Sequence, residues 1–131
     1  YKRQVNQSLK ANLLFQKDKD YIVKDGKVVS KGFHKRFGGR HAEQIAIDNL
    51  PQNITKTTMY VTLEPCCMCA GAINKARLRN IFFGAYNQLE GCVSSKYNLC
   101  NDPTFNHQSG VKGGILQDEC SFLLHSLRLF S

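Results

Sequence analysis

The chain has 131 residues, of which 42% are hydrophobic and 21% charged, and its formal net charge is +8. This length and composition exclude a disordered chain and predict one domain over residues 1–131 with a substantial core. No stretch approaches the roughly 18 apolar residues of a membrane span, and the start lacks the features of a signal or transit peptide. We therefore expect a soluble, cytoplasmic protein. The excess positive charge favours polyanions but identifies no partner.

The first half of the chain predicts a helix, a hairpin and a second helix. An apolar residue recurs at every fourth position from Val5 to Leu13, which is typical of an opening helix. Two short apolar runs within residues 21–30 flank Asp25-Gly26, a pair that favours a tight hairpin turn. Residues 42–50 have the spacing of a second helix.

The second half predicts two strands and two helices. In chain order these are strand 57–63, helix 66–76, strand 81–84, a loop over 85–110 with at most one helical turn, and a closing helix over 116–130. Pro65 is expected in the first turn of the helix that follows it. Strands alternating with helices predict an α/β fold, in which a mixed central sheet carries helices on both faces.

Two separate segments bring together the residue types of a zinc site. The first reads His41-Ala42-Glu43, and the second reads Pro65-Cys66-Cys67-Met68-Cys69. Cys66 and Cys69 lie three residues apart and can share one face of a helix, whose N-terminus favours thiolates. With His41 as the third ligand, a zinc ion would keep one corner for water, as catalytic zinc does.

Glu43 is predicted to be the catalytic acid and base. A carboxylate beside zinc-bound water can take a proton from it and later pass protons to a ring nitrogen and a leaving amine. Because residues two apart on an ideal helix point in nearly opposite directions, the convergence of His41 and Glu43 requires the irregular geometry of a helix terminus. The pattern matches the His-x-Glu and Pro-Cys-x-x-Cys signature of zinc deaminases.

A structural zinc site is the competing interpretation of the paired cysteines. It needs a fourth ligand, which His34, His107 or His125 could offer, and it leaves the position of Glu43 unexplained. Cys67 is expected to be a small packed residue rather than a ligand. The crowding of three cysteines into residues 66–69 favours metal binding in a reducing compartment over disulfides. The other three cysteines are therefore expected to be plain thiols: Cys92, Cys100 and Cys120.

Residues 62–73, Thr-Leu-Glu-Pro-Cys-Cys-Met-Cys-Ala-Gly-Ala-Ile, resemble the zinc-helix motif of the bacterial tRNA adenosine deaminases. The resemblance continues through Phe83-Gly84-Ala85, Pro103, Asn106-His107, Gly114-Ile115-Leu116 and Asp118-Glu119-Cys120. It implies the three-layer α/β/α cytidine deaminase-like fold, one zinc ion per subunit and a homodimer. It also implies conversion of adenosine to inosine at the wobble position of the tRNA anticodon.

The same resemblance implies the substrate contacts. The adenine would enter a pocket walled by His34, Ala42 and the Leu63-Glu64-Pro65 turn, after the nucleotide has left the stack of the anticodon stem-loop. Basic and polar residues are candidates for contact with RNA: Lys35, Arg36, Arg40 and the loop around Asn87 to Lys112.

Two alternatives remain. Gly38-Gly39-Arg40 before His41 resembles the pyrimidine deaminases of riboflavin synthesis, so a free pyrimidine nucleotide is a second candidate substrate. A non-catalytic deaminase-fold subunit that binds RNA is the third possibility, although such partners are expected to lose the glutamate that this chain has as Glu43.

Overall fold

The computed structural model describes residues 19–33 and 41–126, with side chains described for 20–33 and 41–122. The predicted opening helix and the end of the predicted closing helix lie outside these ranges. The described residues form β1 (Lys19–Lys24), β2 (Lys27–Phe33), α1 (Ala42–Asp48), β3 (Thr58–Leu63), α2 (Cys67–Lys75), β4 (Asn80–Ala85), a 3₁₀ turn (Leu99–Asn101), β5 (Gly110–Lys112) and α3 (Gln117–Ser126).

The five strands make one mixed sheet in the order β2-β1-β3-β4-β5. β1 pairs antiparallel with β2 and β3, whereas β3, β4 and β5 run parallel to one another. The predicted hairpin is confirmed: Asp25 and Gly26 both have positive φ, at 51° and 78°, as a tight turn between twisted strands requires.

Apolar side chains on both faces of the sheet divide the molecule into three layers. Because strand side chains alternate, Met59 and Val61 face one side of the sheet and Tyr60 the other. The first side packs against Ala46 of α1 and Ala70 and Ile73 of α2. The opposite side packs Tyr60, Phe82 and Ala85 against Ile115 and Cys120 of the α3 region. The predicted α/β/α fold class is confirmed.

Three local predictions need correction or refinement. Pro65 does not lie in the first turn of α2, because Cys66 is the N-cap and the proline precedes it. The short strand β5 was not predicted, since a run of three residues is too short to show an alternation and depends on pairing with β4. The single helical turn expected in the 85–110 loop is the 3₁₀ turn. Within the described ranges, no helix is long and apolar enough to cross a membrane.

Candidate active site

His41 enters the site at the start of α1. The helix is held over the sheet edge by the Ser30 hydroxyl, which donates a hydrogen bond of 2.5 Å to the Ala46 carbonyl. His41 is the N-cap of α1 and has extended backbone angles, with φ −69° and ψ 146°. The backbone becomes helical only after His41, so the angle between the His41 and Glu43 side chains is not that of an ideal helix. Glu43 in the first turn can therefore point to the same side as His41. This is the helix-terminus geometry that the His-x-Glu spacing requires.

The two cysteines come from the loop that follows β3. Cys66 is the N-cap of α2, with φ −73° and ψ 177°, and Cys69 lies in the first helical turn. The imidazole Nδ1 of His41 lies 3.7 Å from the Cys66 sulfur and 3.3 Å from the Cys69 sulfur. The ligand atoms of the three residues all lie within 4.8 Å of one another. The structure thus brings the three predicted ligands together.

The spacing of these three atoms fits a zinc ion. Bonds of about 2.3 Å to sulfur and about 2.1 Å to nitrogen, at tetrahedral angles, would hold the two ligand types about 3.6 Å apart. The two nitrogen-to-sulfur distances lie on either side of that value. His107, a candidate fourth ligand, is instead 2.8 Å from the Leu78 carbonyl through Nε2. The cluster found among the described residues has three ligands.

The pKa values of the two thiols are shifted in opposite directions. A hydrogen bond from the Cys69 thiol, together with the positive field of His41, lowers the pKa of Cys66 to about 5 against the opposing effect of burial. The same hydrogen bond and burial raise the pKa of Cys69, and the Glu43 carboxylate, which is hydrogen-bonded to that thiol, raises it further. Glu43 therefore lies close enough to the ligand cluster to influence it electrostatically. Because the ligand form is the thiolate, metal binding must release the remaining proton.

A cleft of about 400 Å³ opens beside the cluster. His41 and Cys66 form part of its wall, and Met68 of α2 borders it as well. The opposite wall comes from residues 87–97, here named the cleft loop, through Leu89, Lys96 and Tyr97. The leucine and the tyrosine are 79% and 63% exposed, so both side chains are available to a ligand. The site can therefore receive a substrate larger than water.

The predicted substrate residues that the structure describes do not line this cleft. Ala42, Leu63, Glu64 and Pro65 are not among the cleft-lining residues, and of these only Leu63 is half-buried rather than buried. His34, together with the candidate RNA contacts Lys35, Arg36 and Arg40, lies outside the described residues. Lys112 lies half-buried in β5, and Asn87 lies in the cleft loop.

The Glu64 side chain binds the backbone of the cleft loop and does not line the cleft. Its carboxylate is 1% exposed and accepts backbone N–H bonds from Asn87 at 3.1 Å, Val93 at 3.2 Å, Ser94 at 2.7 Å and Ser95 at 2.8 Å. The Ser95 hydroxyl donates a further bond. Burial by itself would raise the pKa of Glu64, but these hydrogen bonds outweigh it and the pKa lies below its ordinary value. The carboxylate therefore has no acceptor left for a ligand, and a contact of this residue with substrate would come from its backbone.

Gly91 permits this close approach. A Cβ atom at this position would lie 2.5 Å from the Glu64 carboxyl carbon and 2.5 Å from the Asn87 carbonyl. The backbone of the cleft loop also bonds to the preceding turn, since the Cys92 N–H donates to the Pro65 carbonyl at 3.0 Å. The loop is consequently packed against the segment that carries the metal ligands.

A disulfide joins Cys67 to Cys92, with a Cα separation of 4.8 Å. The prediction that Cys67 is a small packed residue and Cys92 a plain thiol is therefore wrong. Residues 25 positions apart carry no sequence signal for this pairing, which arises only when the cleft loop folds against α2. The prediction for the other two thiols is confirmed: Cys100 and Cys120 are free and buried, and burial raises the pKa of each to about 12.

The loop around Asn87 to Lys112 was predicted to contact RNA, but the particular residues of this loop that wall the cleft were not predicted. Leu89, Lys96 and Tyr97 lie in a loop without hydrophobic periodicity, and their shared surface follows from the turns that Glu64 fixes. The only available signal was the presence of large apolar side chains among polar loop residues, which is compatible with many roles.

Comparison with known proteins places the chain in a family. Residues 21–85 match the cytidine and deoxycytidylate deaminase zinc-binding region. The tRNA-specific adenosine deaminase of Streptococcus pyogenes serotype M1 is 36% identical over 114 residues, which cover 80% of this chain and 67% of that protein. The corresponding protein of Bacillus subtilis strain 168 is 35% identical over 112 residues, with 79% and 70% covered.

Solved structures agree with the sequence relatives. A structure from a study of A-to-I editing by tRNA:A34 deaminases at the wobble position has a TM-score of 0.72 and 32% identity, with 81% of this chain and 83% of that chain covered. A bifunctional pyrimidine deaminase and reductase of Thermotoga maritima has a TM-score of 0.67 and 30% identity, with 80% and 31% covered. With its His/Cys/Cys cluster compatible with zinc, the chain belongs to the tRNA-specific adenosine deaminase family of zinc-binding deaminases.

Proposed function

We propose that this protein deaminates adenosine to inosine in tRNA, at the wobble position of the anticodon. The observation that carries the proposal is the three-ligand cluster of His41, Cys66 and Cys69 with Glu43 against it, at the edge of an open cleft. A catalytic rather than structural metal needs three protein ligands and a free position, and this cluster supplies that number. The relatives supply the substrate class through the reactions for which they are named.

In this proposal His41, Cys66 and Cys69 hold one zinc ion per subunit. When bound there, zinc supplies the Lewis acidity that activates a water molecule near neutral pH. Glu43 accepts a proton from the water that attacks C6 of adenine, and then delivers protons to N1 and to the leaving amino group. Adenosine and water thereby become inosine and ammonia. The influence of the Glu43 carboxylate on the pKa of Cys69 supports this role.

The cleft would receive a nucleotide that has left the stack of the anticodon stem-loop. Tyr97 offers an exposed aromatic face on which a neighbouring base can stack, and Lys96 beside it offers a positive charge for phosphate. The formal net charge of +8 supports binding of a polyanion. The predicted contacts with His34, Lys35, Arg36, Arg40, Asn87 and Lys112 stay part of the proposal, as do backbone contacts from residues 42 and 63–65.

The remaining proposals concern organisation. We infer that residues 1–131 are one deaminase domain, which the single sheet through the described residues supports. A homodimer and a cytoplasmic location are both implied by the bacterial tRNA adenosine deaminases that the chain resembles. Size-exclusion chromatography with light scattering tests the dimer, since a monomeric mass at micromolar concentration would contradict it.

The deciding experiment is an incubation of the zinc-loaded protein with an anticodon stem-loop that carries adenosine at the wobble position. We expect inosine by nucleoside mass spectrometry, and no deamination when cytidine replaces that adenosine. Affinity should fall steeply as salt increases, because several phosphates are neutralised on binding. Absence of inosine from a zinc-loaded sample would refute the proposal.

A free pyrimidine nucleotide is the second candidate substrate. The similarity to the Thermotoga maritima enzyme, at 30% identity, supports this candidate, although this chain spans only 31% of that protein. Turnover of an aminopyrimidine nucleotide without turnover of the stem-loop would establish this alternative. A non-catalytic RNA-binding subunit is disfavoured by the presence of Glu43, since such subunits are expected to lose this glutamate.

A further inference from the structure

The disulfide between Cys67 and Cys92 lies in the wall of the cleft. It connects the first residue of α2 to the cleft loop, and both cysteines border the same 400 Å³ space as His41 and Cys66. The bond thus links the helix that carries two of the candidate metal ligands to the loop that faces them. Whether this bond is oxidised or reduced therefore affects the position of the cleft wall.

The bond is open to thiol exchange from one side. Cys67 is exposed, whereas Cys92 is 1% exposed. The attacking thiolate of an external dithiol can therefore reach the Cys67 sulfur, and Cys92 leaves with the electron pair and takes up a proton. The second thiol of the reagent then attacks the mixed disulfide and frees Cys67. Two electrons and two protons pass from the dithiol to this chain, and the reagent becomes a disulfide.

Reduction would loosen the cleft loop without releasing it. Glu64 still accepts hydrogen bonds from Ser94 and Ser95, and the Cys92 N–H still donates to the Pro65 carbonyl. What is lost is the covalent link between α2 and the loop that carries Leu89 and Tyr97, whose exposed side chains have few other restraints from burial. A change in the redox state therefore adjusts the cleft rather than unfolding it.

We propose that Cys67 and Cys92 form a reversible redox site, oxidised to the disulfide or reduced by a small or protein dithiol, that sets the affinity of the cleft for RNA. The consequence for RNA rests on the proposed function. A disulfide in a protein of a reducing compartment is usually transient and redox-sensing, which fits an exchangeable bond at a cleft better than a structural staple. The disulfide form holds the cleft wall in place before RNA arrives, and such preorganisation increases affinity.

The chemical arm of the test is peptide mapping. Zinc-loaded protein is equilibrated in glutathione buffers of increasing oxidised fraction, alkylated, and digested with trypsin without reduction. Residues 57–75 and 80–96 are separate tryptic peptides, so the disulfide appears as one cross-linked product. We expect this product to increase with oxidation and to be absent from Cys67→Ala. Its absence from the wild type at every ratio would overturn the proposal, as would its persistence in Cys67→Ala.

The functional arm is the affinity for a fluorescent anticodon stem-loop at equal zinc content. We expect the oxidised form to bind about fivefold more tightly, because one or two side chains of the wall need no longer be immobilised on binding. Cys92→Ala should bind like the reduced wild type at every glutathione ratio. An unchanged affinity while the cross-link forms would overturn the proposal. Inosine formation is measured separately, so that its absence in both states refutes the proposed function alone.

Discussion

Replacing Glu64 by glutamine converts one oxygen of a buried carboxylate into an amide nitrogen while keeping the size of the side chain. The glutamine carbonyl can take the place of the oxygen that accepts from Val93, Ser94 and Ser95. The amide nitrogen then faces the N–H of Asn87, which loses its acceptor and meets another donor. The Ser95 hydroxyl, which donates to the same oxygen as Asn87, also loses its acceptor. The exchange therefore removes two hydrogen bonds and weakens three others.

The expected loss of stability follows from these bonds. A buried donor left without an acceptor costs about 1–3 kcal/mol, and hydrogen bonds to a charged acceptor are roughly twice as strong as neutral ones. We expect Glu64→Gln to lower the free energy of unfolding by about 3 kcal/mol in total. For a domain of this size that corresponds to a decrease in Tm of about 10 °C. Glu90→Gln, an exposed substitution of the same kind on the same loop, is the matched control.

The difference between wild type and Glu64→Gln should depend on pH with a defined sign. The pKa of Glu64 in the folded protein lies below its ordinary value of 4.5. The carboxylate therefore contributes its full stabilisation above that value, and the contribution is lost as the pH falls through the folded pKa. Urea unfolding from pH 7 downwards measures this difference at each pH. Equal midpoints for Glu64→Gln and Glu90→Gln at pH 7 would show that the loop does not depend on the carboxylate.

Three further substitutions test the proposed chemistry and the cleft. Glu43→Ala should reduce inosine formation by at least about 100-fold, because proton transfer is lost, while zinc content measured by mass spectrometry stays at the wild-type level. Cys69→Ala should lower the zinc content and Tm together, since metal binding and folding are coupled; an unchanged zinc content would contradict its role as a ligand. Tyr97→Ala should weaken binding of the stem-loop roughly tenfold through lost base stacking, with kcat for bound substrate altered far less, and equal affinity would exclude that contact.

The sequence predicted the fold where local patterns were strong. The Asp25-Gly26 pair predicted the hairpin because both residues readily adopt the positive φ that its turn requires. The apolar residues of β3 pack on both faces of the sheet, as a buried strand requires. β5 could not be predicted, because its three residues become a strand only through hydrogen bonds to β4. The spacing of Cys66 and Cys69 indicated a shared site, and the extended N-cap His41 supplies the third ligand atom from a different element.

The function of Glu64 illustrates what the sequence leaves open. The resemblance to the tRNA adenosine deaminases implied that the turn containing Glu64 walls the substrate pocket. In the structure the carboxylate binds the backbone of the cleft loop, and its partners come from residues 23 to 31 positions later in the chain. That orientation depends on the path of the cleft loop, which has neither strand nor helix periodicity to reveal it.

The cleft loop is attached by hydrogen bonds to Glu64 and by the Cys67–Cys92 disulfide, and only the disulfide can be changed by a thiol reagent. The Glu64 hydrogen bonds are buried and persist at any pH at which the carboxylate remains ionised, so they define the path of the backbone. The Cys67–Cys92 bond is reached from solvent at Cys67 and can be broken by chemistry that leaves those hydrogen bonds intact. A loop with only the first attachment would have one fixed affinity for its ligand. Adding the second lets a thiol reagent alter the wall of the cleft while the metal cluster and Glu43 stay in place.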